Sequence, residues 1–235
     1  MADLAAQIER ALGARPVRLT PLSGGCVGDV ATATMPDGSR VVVKSAGAGG
    51  KLDIEGWMLE YLRGHSALPV PRVLHAGPSL LVMEFAEGES RFDAGAEAHA
   101  AELLAGLHGN TADGYGLERD TLIGGLDQPN GWMGSWVEFF RERRVLHMAS
   151  EAHAAGRLPD RTLDRVKRAA ERLPAVLEEP GAPALLHGDV WTTNVLARGG
   201  RVTAFLDPAV YYGHPEVELA FITLFGTFGG AFFER

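Results

Sequence analysis

The sequence predicts an α+β fold in two parts, a small antiparallel β-rich part followed by a mainly helical one. Short apolar runs separated by turn residues fill residues 18–85, whereas helical spacing of apolar residues dominates from Ala94 onward. A polar cluster rich in Gly, Asp and Thr interrupts the helical part near residue 190, flanked by short apolar runs that read as strands.

The elements follow in order. Asp3–Leu12 carries apolar residues at helical spacing and stops at Gly13. Arg18–Leu22, Asp29–Met35 and Ser39–Ser45 read as strands, with Pro36-Asp37-Gly38 turning the chain between the last two. Asp53–Leu62 returns to helical period and is closed off by Pro69 and Pro71, before a strand pair at Val73–His75 and Ser79–Phe85. Helices are expected at Ala94–His108, Trp132–His147 and Arg161–Leu177, the last with its charges on one side. Ala184–Leu186 and Val202–Leu206 are expected to pair as a hairpin around the polar cluster. The division therefore falls at residues 1–88 and 89–235.

At 235 residues, 46% hydrophobic and 22% charged, the chain has the composition of a folded domain and the length to bury a sizeable core. A net charge of -8 excludes a phosphate-backbone binder, which needs clustered Lys and Arg. The single cysteine, Cys26, leaves no internal disulfide, and the charged N-terminus lacks a secretory apolar core, so a cytoplasmic location is expected. The longest charge-free run, Leu219–Phe233, is shorter than the ~20 residues a bilayer span requires. That run has nothing downstream to pack against, which reads as a C-terminally truncated chain.

The chemistry concentrates in His187-Gly188-Asp189-Val190-Trp191-Thr192-Thr193-Asn194, followed thirteen residues after Asn194 by Asp207-Pro208. Phosphoryl transfer needs a carboxylate beside the attacking hydroxyl, then a carboxylate and an amide oxygen to hold magnesium at the phosphates. Asp189, Asn194 and Asp207 supply that set, with the Asp-to-Asn interval of a kinase catalytic loop. Two other readings of these residues stand beside it. HGD is also a plain turn with Asp207 a strand-end carboxylate, and His187, Asp189, Asp207 and His214 are also a ligand set for a metallohydrolase. The latter leaves Asn194 and the first part of the chain without a role.

Upstream, Ser23-Gly24-Gly25-Cys26-Val27-Gly28 follows a strand and fits a kinase glycine-rich loop with Ser in the first place, so Gly24, Gly25 and Gly28 are candidate phosphate contacts. Lys44 ends a strand where its ammonium would reach the α- and β-phosphates, and Glu55 on the next helix is its preferred partner over Glu60. Glu84, Phe85 and Ala86 leave a buried strand as an extended segment whose backbone would hydrogen-bond adenine. Taken singly, each feature has a bland counterpart in an exposed lysine, a solvated helix face or an ordinary turn. Their order is what points to ATP, Mg2+ and a two-lobed protein-kinase-like fold.

With those residues in place, the sequence resembles the fructosamine kinase (ketosamine 3-kinase) family, a branch of the aminoglycoside phosphotransferase-like kinases. The resemblance runs nearly end to end through LLAGLH ending at His108, YGLERDTLIGGLDQPNGWMGSWVEFFRERR, HGDVWTTN and DPAVYYGHPEVELA. It implies transfer of the ATP γ-phosphate to a sugar hydroxyl of a ketosamine, free or protein-bound, as a deglycation repair step. Asp189 would deprotonate that hydroxyl, Asn194 and Asp207 would hold magnesium, and Trp191 would offer the sugar a flat face. Trp132 and Trp136 are expected in the core. Thr193 stands where relatives carry Gly, Glu218 where many carry Asp, and the family's chain runs on for a further helical pair. Cys26 falls where some relatives form a disulfide between chains, so it is a candidate redox site. Another small alcohol, such as an aminoglycoside or choline, remains the alternative acceptor, and a non-catalytic nucleotide-binding module the alternative class.

Overall fold

The structure, a computed structural model, describes residues 2–22 and 29–235. In chain order the first elements are α1 (Ala2–Leu12), β1 (Arg18–Pro21), β2 (Asp29–Thr34), β3 (Arg40–Ser45), α2 (Leu52–His65), β4 (Val73–Gly77) and β5 (Leu80–Glu84). The strands form one antiparallel sheet in the order β1-β2-β3-β5-β4, as the alternating apolar pattern requires. One face is covered by α1, whose Ile8 packs with Ala33, Val41, Val43 and Val82. The other is covered by α2, whose Leu52 and Leu59 pack against Leu81 and Met83.

The remaining elements are α3 (Ala94–His108), β6 (Thr121–Ile123), β7 (Leu126–Gln128), α4 (Trp136–Phe139), α5 (His147–Ala154), α6 (Asp160–Ala170), β8 (Ala184–Leu186), β9 (Val195–Arg198), β10 (Arg201–Phe205), β11 (Tyr211–Gly213), α7 (Pro215–Phe225) and α8 (Gly230–Phe233). Asp93 caps α3 by accepting from the Ala96 amide at 2.8 Å, and Ala96, Ala100, Leu104 and Leu107 form its buried stripe. The largest core cluster joins that stripe to Met58 and Leu62 of α2 and to Leu185, Val195 and Phe205. Thus α2 packs on both the sheet and the helical part. No helix among the described residues is long and apolar enough to cross a membrane.

Three expectations are corrected. β10 pairs with β9, not with β8, and β8 instead pairs with β11, because three-residue strands take their partners from packing rather than from their own pattern. The helix expected at Trp132–His147 starts at Trp136, where Ser135 accepts from the Glu138 amide, and widens into π-type turns over Phe140–Leu146. The helix expected to reach Leu177 ends at Ala170 and gives way to a tight turn at Leu173–Ala175. A hairpin that the pattern reading passed over, β6–β7, turns at Gly124 and Gly125, with Gly124 at φ 56°.

α2 lies close against β4 at Gly56, where an added Cβ would stand 2.6 Å from the Ala76 side chain. Replacing it by Val should push α2 off β4 at a cost of about 1–3 kcal/mol, read as a lowered urea midpoint. An unchanged midpoint would show slack between the two elements.

Candidate active site

β8 delivers the chain into the polar loop, and β9 takes it out again. Between them, a single turn at Thr192–Asn194, closed by the Asn194 amide on the Trp191 carbonyl at 2.9 Å, folds the five-residue interval back on itself. The Asn194 side-chain amide then donates to the Asp189 carboxylate at 2.9 Å and to its carbonyl at 3.1 Å. Thr193 sits exposed in this turn without a positive φ, so the backbone there does not require Gly. The β9–β10 hairpin covers the next stretch and closes with Phe205 opposite Val195, and the Leu206 amide donates to the Asn194 carbonyl at 2.8 Å. Asp207 therefore lands beside Asn194 despite thirteen residues of chain. It does so at φ 53°, the one non-glycine residue with positive φ among those described, a strained conformation of the kind that accumulates at functional sites.

Lys44 closes the arrangement from the sheet. Its ammonium pairs with Glu55 of α2 at 2.6 Å and with the Asp207 carboxylate. Glu60 accepts from the Val73 amide instead. A cavity of about 480 Å³ is lined by Lys44, Glu55, Asp189, Trp191, Asn194 and Asp207, together with the glycines at 49–50 and 124–125. The sequence reading missed both glycine segments. A doubled glycine between apolar runs was the available signal for the second. Trp191 lies half-buried at the wall, its ring 6.0 Å from that of Phe225.

Other candidates fall elsewhere. Glu84, Phe85 and Ala86 do not line this cavity, and the Glu84 amide is taken by the Arg72 carbonyl at 2.9 Å, leaving the amides of Phe85 and Ala86 as the candidate donors. Gly24, Gly25, Cys26 and Gly28 lie outside the described residues. Trp136 is buried as expected, whereas Trp132 is 47% exposed, resting on the Tyr212 ring at 5.9 Å. The metallohydrolase set does not assemble: His214 caps α7 by accepting from the Glu216 amide, and His187 is fully buried with Nδ1 facing the Asp189 amide. Among the described residues no three His, Cys, Asp or Glu side chains are placed to hold a metal together.

Charge is unbalanced here. Burial pulls the Lys44 ammonium down, but Glu55 and then Asp207 outweigh it and hold it above its usual value. Burial raises Glu55 to about 7, Lys44 opposing and Asp207 adding to the rise. Burial, then the Asp207 charge, raises Asp189 to about 6. Three carboxylates against one ammonium, with the Asn194 amide nitrogen already spent on Asp189 and its oxygen accepting no hydrogen bond among the described residues, suit a hard divalent cation.

A carboxylate raised on folding weakens the fold as pH climbs from its unfolded value through its folded one. Asp189→Asn should therefore stabilise the ligand-free protein by about 2 kcal/mol above pH 6 and leave it unchanged near pH 4, the carboxylate's remaining water keeping the gain below the full shift. Thermal melts at the two pH values check this. A destabilised variant at pH 7 would contradict it.

The comparisons agree with this geometry. A family model described as fructosamine kinase matches residues 1–235. A protein named probable ketoamine kinase from Synechocystis is 35% identical over 98% of this chain and 80% of its own length. A chloroplastic protein-ribulosamine 3-kinase from Arabidopsis thaliana is 31% identical over 92% of this chain and 68% of its own. A crystal structure assigned to fructosamine-3-kinase from Thermobifida fusca superposes with a TM-score of 0.84 at 26% identity, covering 96% of this chain and 79% of that one. With a match along its whole length and the kinase-like architecture those relatives share, the chain belongs to the fructosamine kinase family.

Proposed function

We propose that the protein is an ATP-dependent kinase that phosphorylates a sugar hydroxyl of ketosamines, fructosamine or ribulosamine, as a deglycation activity. The observation that carries the reading is the convergence of Lys44, Glu55, Asp189, Asn194 and Asp207 on one cavity. The names of the relatives point to the same acceptor class, ketoamine and ribulosamine.

Asp189 is the base in this reading. It accepts the proton of the attacking hydroxyl, and Asn194 fixes its carboxylate for that task. Lys44 binds the α- and β-phosphates, oriented by Glu55, and in turning to them releases Asp207. Asn194 and Asp207 would hold magnesium, which supplies charge neutralisation at the phosphates when bound. Trp191 offers the sugar ring an apolar face, and the backbone at Phe85 and Ala86 meets the adenine. Residues 1–88 then form the ATP-binding part and residues 89–235 the catalytic part. Gly24, Gly25 and Gly28 complete the phosphate contacts in the same scheme, and Cys26 among them stays a candidate redox site beside its plainer reading as a small apolar turn residue.

The test is magnesium-dependent ADP release with ribulose-lysine, fructose-lysine, an aminoglycoside and choline in parallel. Turnover is expected on the ketosamines alone, with a loss of at least about 1,000-fold in Asp189→Ala. Turnover on the aminoglycoside or choline instead would overturn the acceptor while keeping the site. ATP binding without turnover on any of the four would overturn the enzymatic reading.

A further inference from the structure

We infer that Gln128 and Thr121 are positioning residues for Asp207, acting through the carbonyls of Ala209 and Val210, the second and third residues after it. The inference rests on the kinase reading above, in which Asp207 would hold magnesium. Thr121 opens β6 and Gln128 ends β7, and the two are paired across the hairpin. Each is a polar residue only 1% exposed, and neither lines the cavity that holds Asp207. The hairpin they close reaches that cavity at its other end, through Gly124 and Gly125.

Asp207 keeps a left-handed backbone although it carries a side chain, and such a conformation persists only where the surroundings over-determine it. The main chain supplies one restraint, the Ala209 amide donating to the His187 carbonyl at 2.8 Å. Side chains supply two more. Gln128 Nε2 donates to the Ala209 carbonyl at 3.0 Å, and Thr121 Oγ1 donates to the Val210 carbonyl at 3.3 Å. Ala209 and Val210 are both fully buried, so bulk water does not compete for these carbonyls and the two side chains answer for them.

The Thr121 hydroxyl has no freedom left. It accepts from Gln128 Nε2 at 2.9 Å and from Asn130 Nδ2 at 2.6 Å, which spends both lone pairs and leaves its one proton for Val210. Asn130 is fully buried and is held in turn by Arg144, whose Nη2 donates to its Oδ1 at 2.6 Å and whose guanidinium lies on the Phe139 and Tyr211 rings. The DQPN and FFRERR runs therefore meet in one network that ends on the two carbonyls following Asp207. Without those bonds the segment is free to rearrange, and a carboxylate that must be ordered when a cation arrives binds it more weakly.

Calorimetric titration of the full chain with AMP-PNP, once with magnesium in excess and once in EDTA, tests this on wild type, Gln128→Leu, Thr121→Val and Thr121→Ser. Gln128→Leu roughly keeps the volume and removes both donor bonds. It should bind about 10-fold more weakly than wild type with magnesium and within about twofold of it in EDTA. Thr121→Val should lose affinity in the same magnesium-dependent way, whereas Thr121→Ser, which keeps the hydroxyl, should stay within about threefold of wild type under both conditions. Equal weakening with and without magnesium overturns the inference, because a generally loosened fold would do that. An unchanged affinity in Gln128→Leu overturns it too, as does a Ser variant no tighter than the Val variant. If Gln128→Leu does not fold, the two Thr121 variants decide by the same comparison. Wild type that fails to bind AMP-PNP with magnesium overturns the kinase reading and the inference with it. Wild type that binds equally well in EDTA, or variants that match a magnesium-dependent wild type, overturn the inference alone.

Discussion

The site depends on one ammonium shared by two carboxylates. Lys44 is almost completely buried, and a buried charge persists only where opposite charge meets it with good geometry. That requirement reaches far into the fold. β3 must end with its lysine facing the cavity, α2 must lie close enough on the sheet to bring Glu55 within 2.6 Å, and the turn after β10 must hold Asp207 in a left-handed conformation to bring its carboxylate into range. The absence of a side chain at Gly56 sets the second of these distances, since it is what lets α2 lie against β4.

The same sharing explains how the site is poised. Neither carboxylate is fully neutralised by half an ammonium, and the Asp207 charge adds to the larger effect of burial in raising the proton affinities of Glu55 and Asp189. A site in this condition attracts cations and offers Lys44 a reason to move when phosphates arrive. The fold by itself would not establish this, because one architecture hosts many acceptors. The argument comes from the constellation, and the acceptor class comes from the relatives.

Sequence reading reached what local spacing controls. The Asp189-to-Asn194 interval is closed by a single turn, and Lys44 falls at the end of an apolar strand, so both were visible without a structure. It failed where tertiary packing decides. β8 has three residues and no preference of its own between β10 and β11. Trp132 is apolar in type but follows a glycine out of the core and ends half exposed, whereas Trp136, four residues later, is buried by the helix it begins. Glu218 looked like a variant carboxylate in a conserved-sounding run of letters. Its burial against His108, 110 positions away, is a fact of folding alone. The glycine loop around Cys26, a weak motif on its own with Ser in the first place, lies outside the described residues.

The β9–β10 hairpin makes the separation between Asn194 and Asp207 a matter of architecture. Its arms are pinned by pairing, with a register shift between Val202 and Ala204, while the tip at Gly199 and Gly200 is not part of the cavity lining. Lengthening both arms together would leave the two metal-site candidates where they are, whereas a single extra residue in one arm would turn one side of the ribbon over. The number of residues between the two is thus free to drift across a lineage in paired steps, and a search template that fixes it will overlook relatives whose sites are identical in space.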